Sequence, residues 1–511
     1  SILEEKLQEF SDKDEYKKKV SDMKMLTKIY NKHINNEELT KEELRFLYEI
    51  DSKIIGFGYK IDPRIKEIKN ERNLKKDLAI IFSVTEEEVS LSQKEFLEGN
   101  KKVHYADLDL SDTYIVDNLV LPKYVNGTLD LSSLTSAEGL VLPEEINGIL
   151  NMRNLTTCKG IVWPKKMNCD LWLDKLTNGE GLILPKIVNG DIRLFCLKNA
   201  KGVVFPEILN GLLELRELKS AEDLVLPKEI NGDLWFSSLS NAEGLVLPEI
   251  LNGNLWFVSL IQVESLKLPE KICGDLSFVW LNSTKGIIFP KEISGELYLQ
   301  GLKIAKNINF PSKIGGDLCI PHVTKAKNVV FPEEIGGKLL VEDLICIEDT
   351  NLPNSVMDDI NFYMLEKLKN VTFPKKVKKY ISLRRLIEAK GLVFPEELDG
   401  SLLLERITTA QGITFPKIIT GSLVLINLYD AKGLVLPELI EGELFLNSLT
   451  DAEGIVLPKN EQGEFYVPGK KLQCQLTEEQ LIEAAKRTEV RQQEPKIFEE
   501  IDDLSTGNPK K

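Results

Sequence analysis

Histidine is nearly missing. His33, His104 and His322 are the only three in 511 residues, and no two share a spacing used for metal ligation or a catalytic triad. Cysteine is sparse as well. Cys158, Cys169, Cys196, Cys273, Cys319, Cys346 and Cys474 share no register and form no C-x-x-C pair, which speaks against a zinc site or a disulfide framework. Free thiols in a reducing compartment fit better, so the expected location is the cytoplasm, of the producing cell or of a host cell. No run of 18 apolar residues exists, so no membrane helix is expected, and no secretory signal is visible at Ser1. Cations are outnumbered: 65 Lys and Arg face 80 Asp and Glu, a formal net charge of -15. That balance disfavours nucleic acid as a partner, since sequence-independent binding needs a cationic surface. Gly56-Phe57-Gly58 lacks the rest of any phosphate-binding loop. No catalytic residue, metal or cofactor is nominated, and a non-enzymatic protein is expected.

What is abundant is order. Proline recurs every 21 residues from Pro122 through Pro143, Pro164 and onward to Pro458, placing 17 of 22 prolines in one register. A strict short period means a solenoid whose repeats touch only their neighbours. With position 1 set at Gly139, one unit reads GLVLPEEINGILNMRNLTTCK. Position 12 is Leu or Ile until Phe465, position 14 is always large and apolar, and position 17 is Leu, Val or Ile until Lys470. The 12/14 spacing is that of a strand, with 11, 13 and 15 on its other side. A second apolar run at positions 2 to 4 ends at the proline, which cannot donate to a ladder. Glycine at position 10, as at Gly148, Gly190 and Gly421, implies either a positive φ or close approach of neighbouring coils. The expected fold is a mainly β repeat solenoid of stacked coils with a parallel sheet.

The L-x-L strand (Leu234-Trp235-Phe236, Leu444-Phe445-Leu446) and the L-x-L-P that follows (Leu245-Val246-Leu247-Pro248) resemble the leucine-rich repeat family, in particular its short bacterial Leu-Pro units. The resemblance covers about 70% of the chain and implies ligand binding on the strand face. In one respect the chain departs from it. The family's Asn or Cys, three residues after the second strand leucine, is Leu155, Leu239 or Leu302 here, so no asparagine ladder is expected. A curved horseshoe and a straighter β-solenoid both remain open.

Four segments are expected: an N-terminal helical domain (1–98), a degenerate capping repeat (99–117), the solenoid of 17 repeats (118–474), and a cap helix with a polar, mobile tail (475–511). In the first, Tyr16, Val20, Met23 and Tyr30 keep helical spacing and Thr40-x-x-Glu43 is a capping box. Asp62-Pro63 opens a helix through Lys75 towards Ile81, and Thr85-x-x-Glu88 starts another. Leu108 and Leu110 fall on positions 12 and 14. Thr477-x-x-Gln480 caps a last helix through Arg487. The two ends read as caps on the stack.

Two candidate binding surfaces follow. Trp172, Trp235, Trp256, Tyr298, Phe445 and Tyr466 occupy outward position 13, with Phe195 and Trp280 at positions 15 and 16. Exposed rings of this kind serve as binding anchors, or else pack on one another. The unit NVTFPKKVKKYISLRRLIEAK concentrates Lys375, Lys376, Lys378, Lys379, Arg384 and Arg385, with Arg406 one coil later: a basic patch on an acidic chain, or a solvated turn. Asp170, Asp191, Asp233, Asp275 and other acids at position 11 read as turn-capping groups. The expected function is a binding or scaffold protein with a protein or peptide partner. The alternative is a modular reader of single-stranded nucleic acid or polysaccharide, using the rings and the variable pair at positions 15 and 16.

Overall fold

One 21-residue coil cannot seal leucines at positions 12, 14 and 17 from water, so the coils stack and bury them against each other. The computed structural model describes residues 13–57, 61–117, 119–374, 376–387, 391–432, 434–451, 453, 455, 472–477, 479–484 and 486. It is a parallel β-solenoid in which each strand pairs with its equivalent one period on, as in Leu150↔Leu171 and Leu255↔Leu276. The chain forms two compact units, residues 1–216 with 223–227 and residues 217–222 with 228–511.

The first unit opens with helices. Helix α1 (Lys13–Ile34) is followed by α2 (Lys41–Leu47), whose cap is the reciprocal Thr40–Glu43 box read from the sequence. The helix expected from Asp62 to Ile81 is instead two, α3 (Pro63–Asn70) and α4 (Leu74–Phe82). Asn73 interrupts it by accepting a hydrogen bond from the Lys76 N–H, which starts a new helix, while Arg72 turns back onto Asp77 at 2.7 and 2.8 Å. Thr85-x-x-Glu88 opens only a single 3-10 turn over Glu86–Glu88. Leu26, Ile29, Leu44, Leu47, Ile68, Leu78 and Ile81 form the core of this region.

Strands β1 (Val89–Ser90), β2 (Val103–His104) and β3 (Leu108–Asp109) lead into the long strands β4 (Tyr124–Asp130), β5 (Glu145–Asn151) and β6 (Lys166–Trp172). β1 pairs with β2, and β2 and β3 both pair with β4, all parallel. Later strands shorten to two or three residues on either side of a bend at position 10.

Positions 2, 4, 8, 12, 14, 17 and 20 point inward, as in Leu140, Leu142, Ile146, Leu150, Met152, Leu155 and Cys158, all buried. Position 20 is small throughout the repeats of the first unit, and at Gly179 a Cβ would stand 1.9 Å from a methyl of Val203. In the second unit the column at position 14 turns aromatic. Phe236, Phe257 and Phe278 stack with centroids 5.3 and 5.0 Å apart, all fully buried. Position 3 makes a one-residue bridge to the next coil, as in Val141↔Val162, and the proline two residues later ends that ladder where no further N–H is used.

The two reasons offered for glycine separate onto different positions. Position 10 needs it for close approach: a Cβ on Gly211 would lie 2.3 Å from the Gly190 carbonyl oxygen. Positive φ belongs chiefly to position 1, at Gly139, Gly181 and Gly412, and where glycine is absent Asn307, Asn328, Asp349 and Asn370 take it instead.

Two expectations are corrected. An asparagine ladder is present, at position 9 rather than near position 17. Asn168 donates to Asn147, Asn189 to Asn168 and Asn210 to Asn189, at 2.9, 2.6 and 2.6 Å. In the second unit Asn252 donates to Asn231 at 2.5 Å. Position 17 carries leucine because it faces the dry interior, where an amide would lack partners. The last coil also breaks the period. Leu444, Phe445 and Leu446 pair with Leu472, Gln473 and Cys474, a step of 28 residues and not 21, so Leu472 rather than Phe465 continues the leucine column. Phe465, Tyr466 and Lys470 lie outside the described residues. Residues 479–484 are helical, with Thr477 and Gln480 capping each other at 2.9 and 3.3 Å; Arg487 lies outside the described residues.

Candidate binding surface

Position 13 lies between two fully buried neighbours, so its side chain leaves the core by strand geometry alone. In the first unit Trp172 does so half-buried, and two guanidinium groups lie over its ring. Arg153 lies 5.2 Å from the ring and Arg193 5.1 Å. Phe195, two positions further along the next coil, carries Arg216 at 3.9 Å. Arginine on an indole face is attractive through the ring quadrupole, so these cations shield rings that would otherwise meet water.

The second unit answers the same geometry differently. Trp235 and Trp256 stack on each other, centroids 5.3 Å apart and planes at 30°. In register they continue to Ser277 and Tyr298, and small Ser277 is buried between the larger side chains. Tyr298 donates to the Glu296 carboxylate. Trp280, on the turn after its strand, is 63% exposed and stands apart from these stacks. The indole Nε1 atoms of Trp172, Trp235 and Trp256 are buried with no acceptor among the described residues. Such an orphaned donor costs stability until an acceptor reaches it. Phe445 is half-buried at the same position.

The acids at position 11 tie coil to coil. Asp170 accepts from the Asp191 N–H at 2.8 Å, and Asp275 accepts from the Glu296 N–H at 2.8 Å. They satisfy backbone donors where the bend at position 10 interrupts the ladder. Burial, and then the neighbouring Asp317 and Asp275, push the Glu296 carboxyl above its ordinary value.

The basic residues do not share one patch. Lys376, Lys378 and Lys379 sit before strand Tyr380–Ser382, and Arg384 and Arg385 sit on the turn after it. Five residues from Lys379 to Arg384 at about 3.3 Å each set the two groups on different corners of the coil. Lys379 is held to Asp358 at 2.8 Å, a hydrogen bond that raises the lysine and lowers the carboxyl from their ordinary values. Arg384 pairs with Glu405 at 3.1 Å. Arg406 follows Arg385 one coil on, exposed; Lys375 lies outside the described residues.

One surface escaped the sequence reading. Position 3, inside the run taken as wholly apolar, points outward, exposing Val120, Val141, Val162, Ile183, Val204 and Val225 in one column of the first unit. A groove of about 960 Å³ runs beside it, lined by Trp163, Pro164, Pro185 and Ile187. The signal was the i, i+2 alternation around each of these residues.

The histidines are spoken for. His104 is fully buried, with Nδ1 at 2.9 Å from Ser90 Oγ and Nε2 at 3.1 Å from the Asp107 carbonyl; desolvation lowers its pKa. His33 lies 3.3 Å from Glu71 and His322 3.0 Å from Asp343. Among the described residues no group of three or more His, Cys, Asp or Glu is placed to hold a metal ion, and no helix is long and apolar enough to cross a membrane. Comparison of the chain with protein-family models, curated proteins and solved structures finds no match in any of the three.

Proposed function

We propose that this chain is a non-enzymatic binding protein, a leucine-rich-repeat-like solenoid whose strand face takes a protein or peptide partner. Solenoid repeats are commonly scaffolds or binding modules because stacking turns one variable position into an extended column. The observation that carries the reading is the aromatic column of the second unit. Trp235, Trp256 and Tyr298 project from between fully buried strand neighbours, and Trp280 reaches solvent beside them in sequence. Tryptophan and tyrosine concentrate binding energy when a partner covers them. In the first unit Trp172 and Phe195 are anchors of a second kind, already backed by arginine.

Trp280 gives the cleanest test, since it is not stacked. Capture of a partner from native-host extract by the tagged chain should fall at least tenfold for Trp280→Ala, with an unchanged thermal midpoint. The pair Trp235→Ala and Trp256→Ala should abolish capture, with a modest loss of stability from the broken stack. Undiminished capture by both variants would remove the strand face from the function, and nuclease-sensitive capture would replace protein by nucleic acid.

A further inference from the structure

Positions 15, 16 and 18 form one corner of each coil. Across three consecutive coils of the second unit this corner exposes Tyr363, Met364, Arg384, Arg385, Ile387 and Arg406. Among the described residues only Arg384 has a carboxylate partner, Glu405. Arg385 reaches the Met364 sulfur at 2.7 Å, and Arg406 has no partner among the described residues. Two guanidinium groups with no carboxylate partner among the described residues therefore stand among three exposed apolar side chains on a chain of net charge -15. The matching ligand is a short segment in which carboxylates and apolar side chains are interspersed.

The chain contains such a segment. Residues 497–504 read Ile-Phe-Glu-Glu-Ile-Asp-Asp-Leu: four acids, four large apolar residues and no base. The helical residues before it are pinned at the same corner, because Gln480 Nε2 donates to the Thr450 carbonyl at 3.3 Å. Thr450 is at position 18, in the column that runs through exposed Tyr429 to Ile387. Three coil steps at about 4.8 Å separate Thr450 from Ile387, roughly 14 Å. Residues 487–496 can span about 33 Å when extended, so the segment reaches the corner with slack.

We propose that residues 497–504 dock in cis on this corner, their carboxylates on Arg385 and Arg406 and their apolar side chains on Tyr363, Met364 and Ile387. Tethering keeps the effective concentration near millimolar, so a weak contact suffices to fill the site. A partner that uses this corner has to displace the segment. The inference uses none of the residues of the strand-face reading; Trp280 shares position 16 with Arg385 but lies five coils before it.

The test uses the full chain and a fluorescent synthetic peptide of residues 494–506, followed by anisotropy. In the variant Glu499→Gln, Glu500→Gln, Asp502→Asn, Asp503→Asn the corner is vacated, and the peptide should bind at least tenfold more tightly than to the unaltered chain. Adding Arg385→Glu and Arg406→Glu should abolish that binding, whereas Arg385→Lys with Arg406→Lys should retain most of it and keep the fold. Equal affinity for the unaltered chain and the vacated variant, no binding to either, or binding that survives the charge reversal overturns the proposal. Dimers of the unaltered chain in sedimentation that vanish in the vacated variant would place the segment on a second copy and overturn docking in cis.

Discussion

Glu43 and Phe257 are both sealed from solvent, yet their surroundings have little in common. Glu43 sits among the N-terminal helices with Lys28 at 3.0 Å, Lys32 at 2.9 Å and the Thr40 N–H at 2.8 Å. Asp77, on α4, is buried against Arg72 and the Tyr48 hydroxyl. Phe257 is flanked by Phe236 and Phe278, and its coil interior carries nothing ionisable. The helices need polar partners because their angles and connections are all different, and buried charges specify one arrangement among several. The interiors of the coils need none, because backbone ladders already dictate how each one meets the next. Their polar specificity sits at the edges, in the asparagine ladder and the carboxylates at position 11.

Four substitutions or conditions sharpen this contrast, and the largest effect is expected in the aromatic stack. Phe257→Ala removes a ring with two stacked neighbours and should cost about 3–5 kcal/mol in denaturant unfolding. Hydrogen exchange should rise in the adjoining coils and stay unchanged in α1 to α4; an equal rise in the helices would erase the distinction. Acid should act the other way round. Burial raises the Glu43 pKa, but hydrogen bonds from Lys32, Thr40 and Lys28 outweigh it and hold the carboxyl at about 2, against an ordinary 4.5. A depressed carboxyl stabilises the fold above 4.5 and loses that contribution as pH falls towards 2, so helical signal should weaken in this window by at most about 3 kcal/mol. Glu43→Gln should flatten the pH dependence, and a strand signal that fails first would contradict the assignment.

Gly211→Ala comes next. The added methyl meets the Gly190 carbonyl oxygen, and relieving that clash should cost about 1–3 kcal/mol, read as a lowered unfolding midpoint. The smallest effect is expected for Asn189→Ala, which removes two ladder hydrogen bonds on an exposed edge. A loss of about 1 kcal/mol would be ordinary, and a loss as large as that of the Phe257 variant would mean the edge is not secondary to the core.

Much of this was legible in the residues. The leucine column at 12 and 14, the Thr40–Glu43 cap and the outward direction of position 13 all depend on local periodicity, which a sequence displays directly. The asparagine ladder was overlooked because a known family places it elsewhere, although Asn147, Asn168, Asn189 and Asn210 recur at position 9 just before the bend. The basic cluster looked continuous because Lys376 to Arg385 are neighbours in the chain, and a three-residue strand between them carries the two halves to different corners. The 28-residue step before Leu472 was hidden by Pro458, which keeps the 21-residue register although the strand that follows does not.

Periodicity alone therefore determined that coils exist, how long most of them are and which side chains they bury, because a repeated apolar pattern that one coil cannot seal is buried only by stacking. Tertiary structure decided what the repeats do with the positions left over. Whether an indole meets arginine, another indole or water depends on the coil beside it, and whether a glycine serves φ or clearance depends on how closely two backbones pass. Both are distances between segments 21 residues apart, and a linear pattern carries phase but no distance.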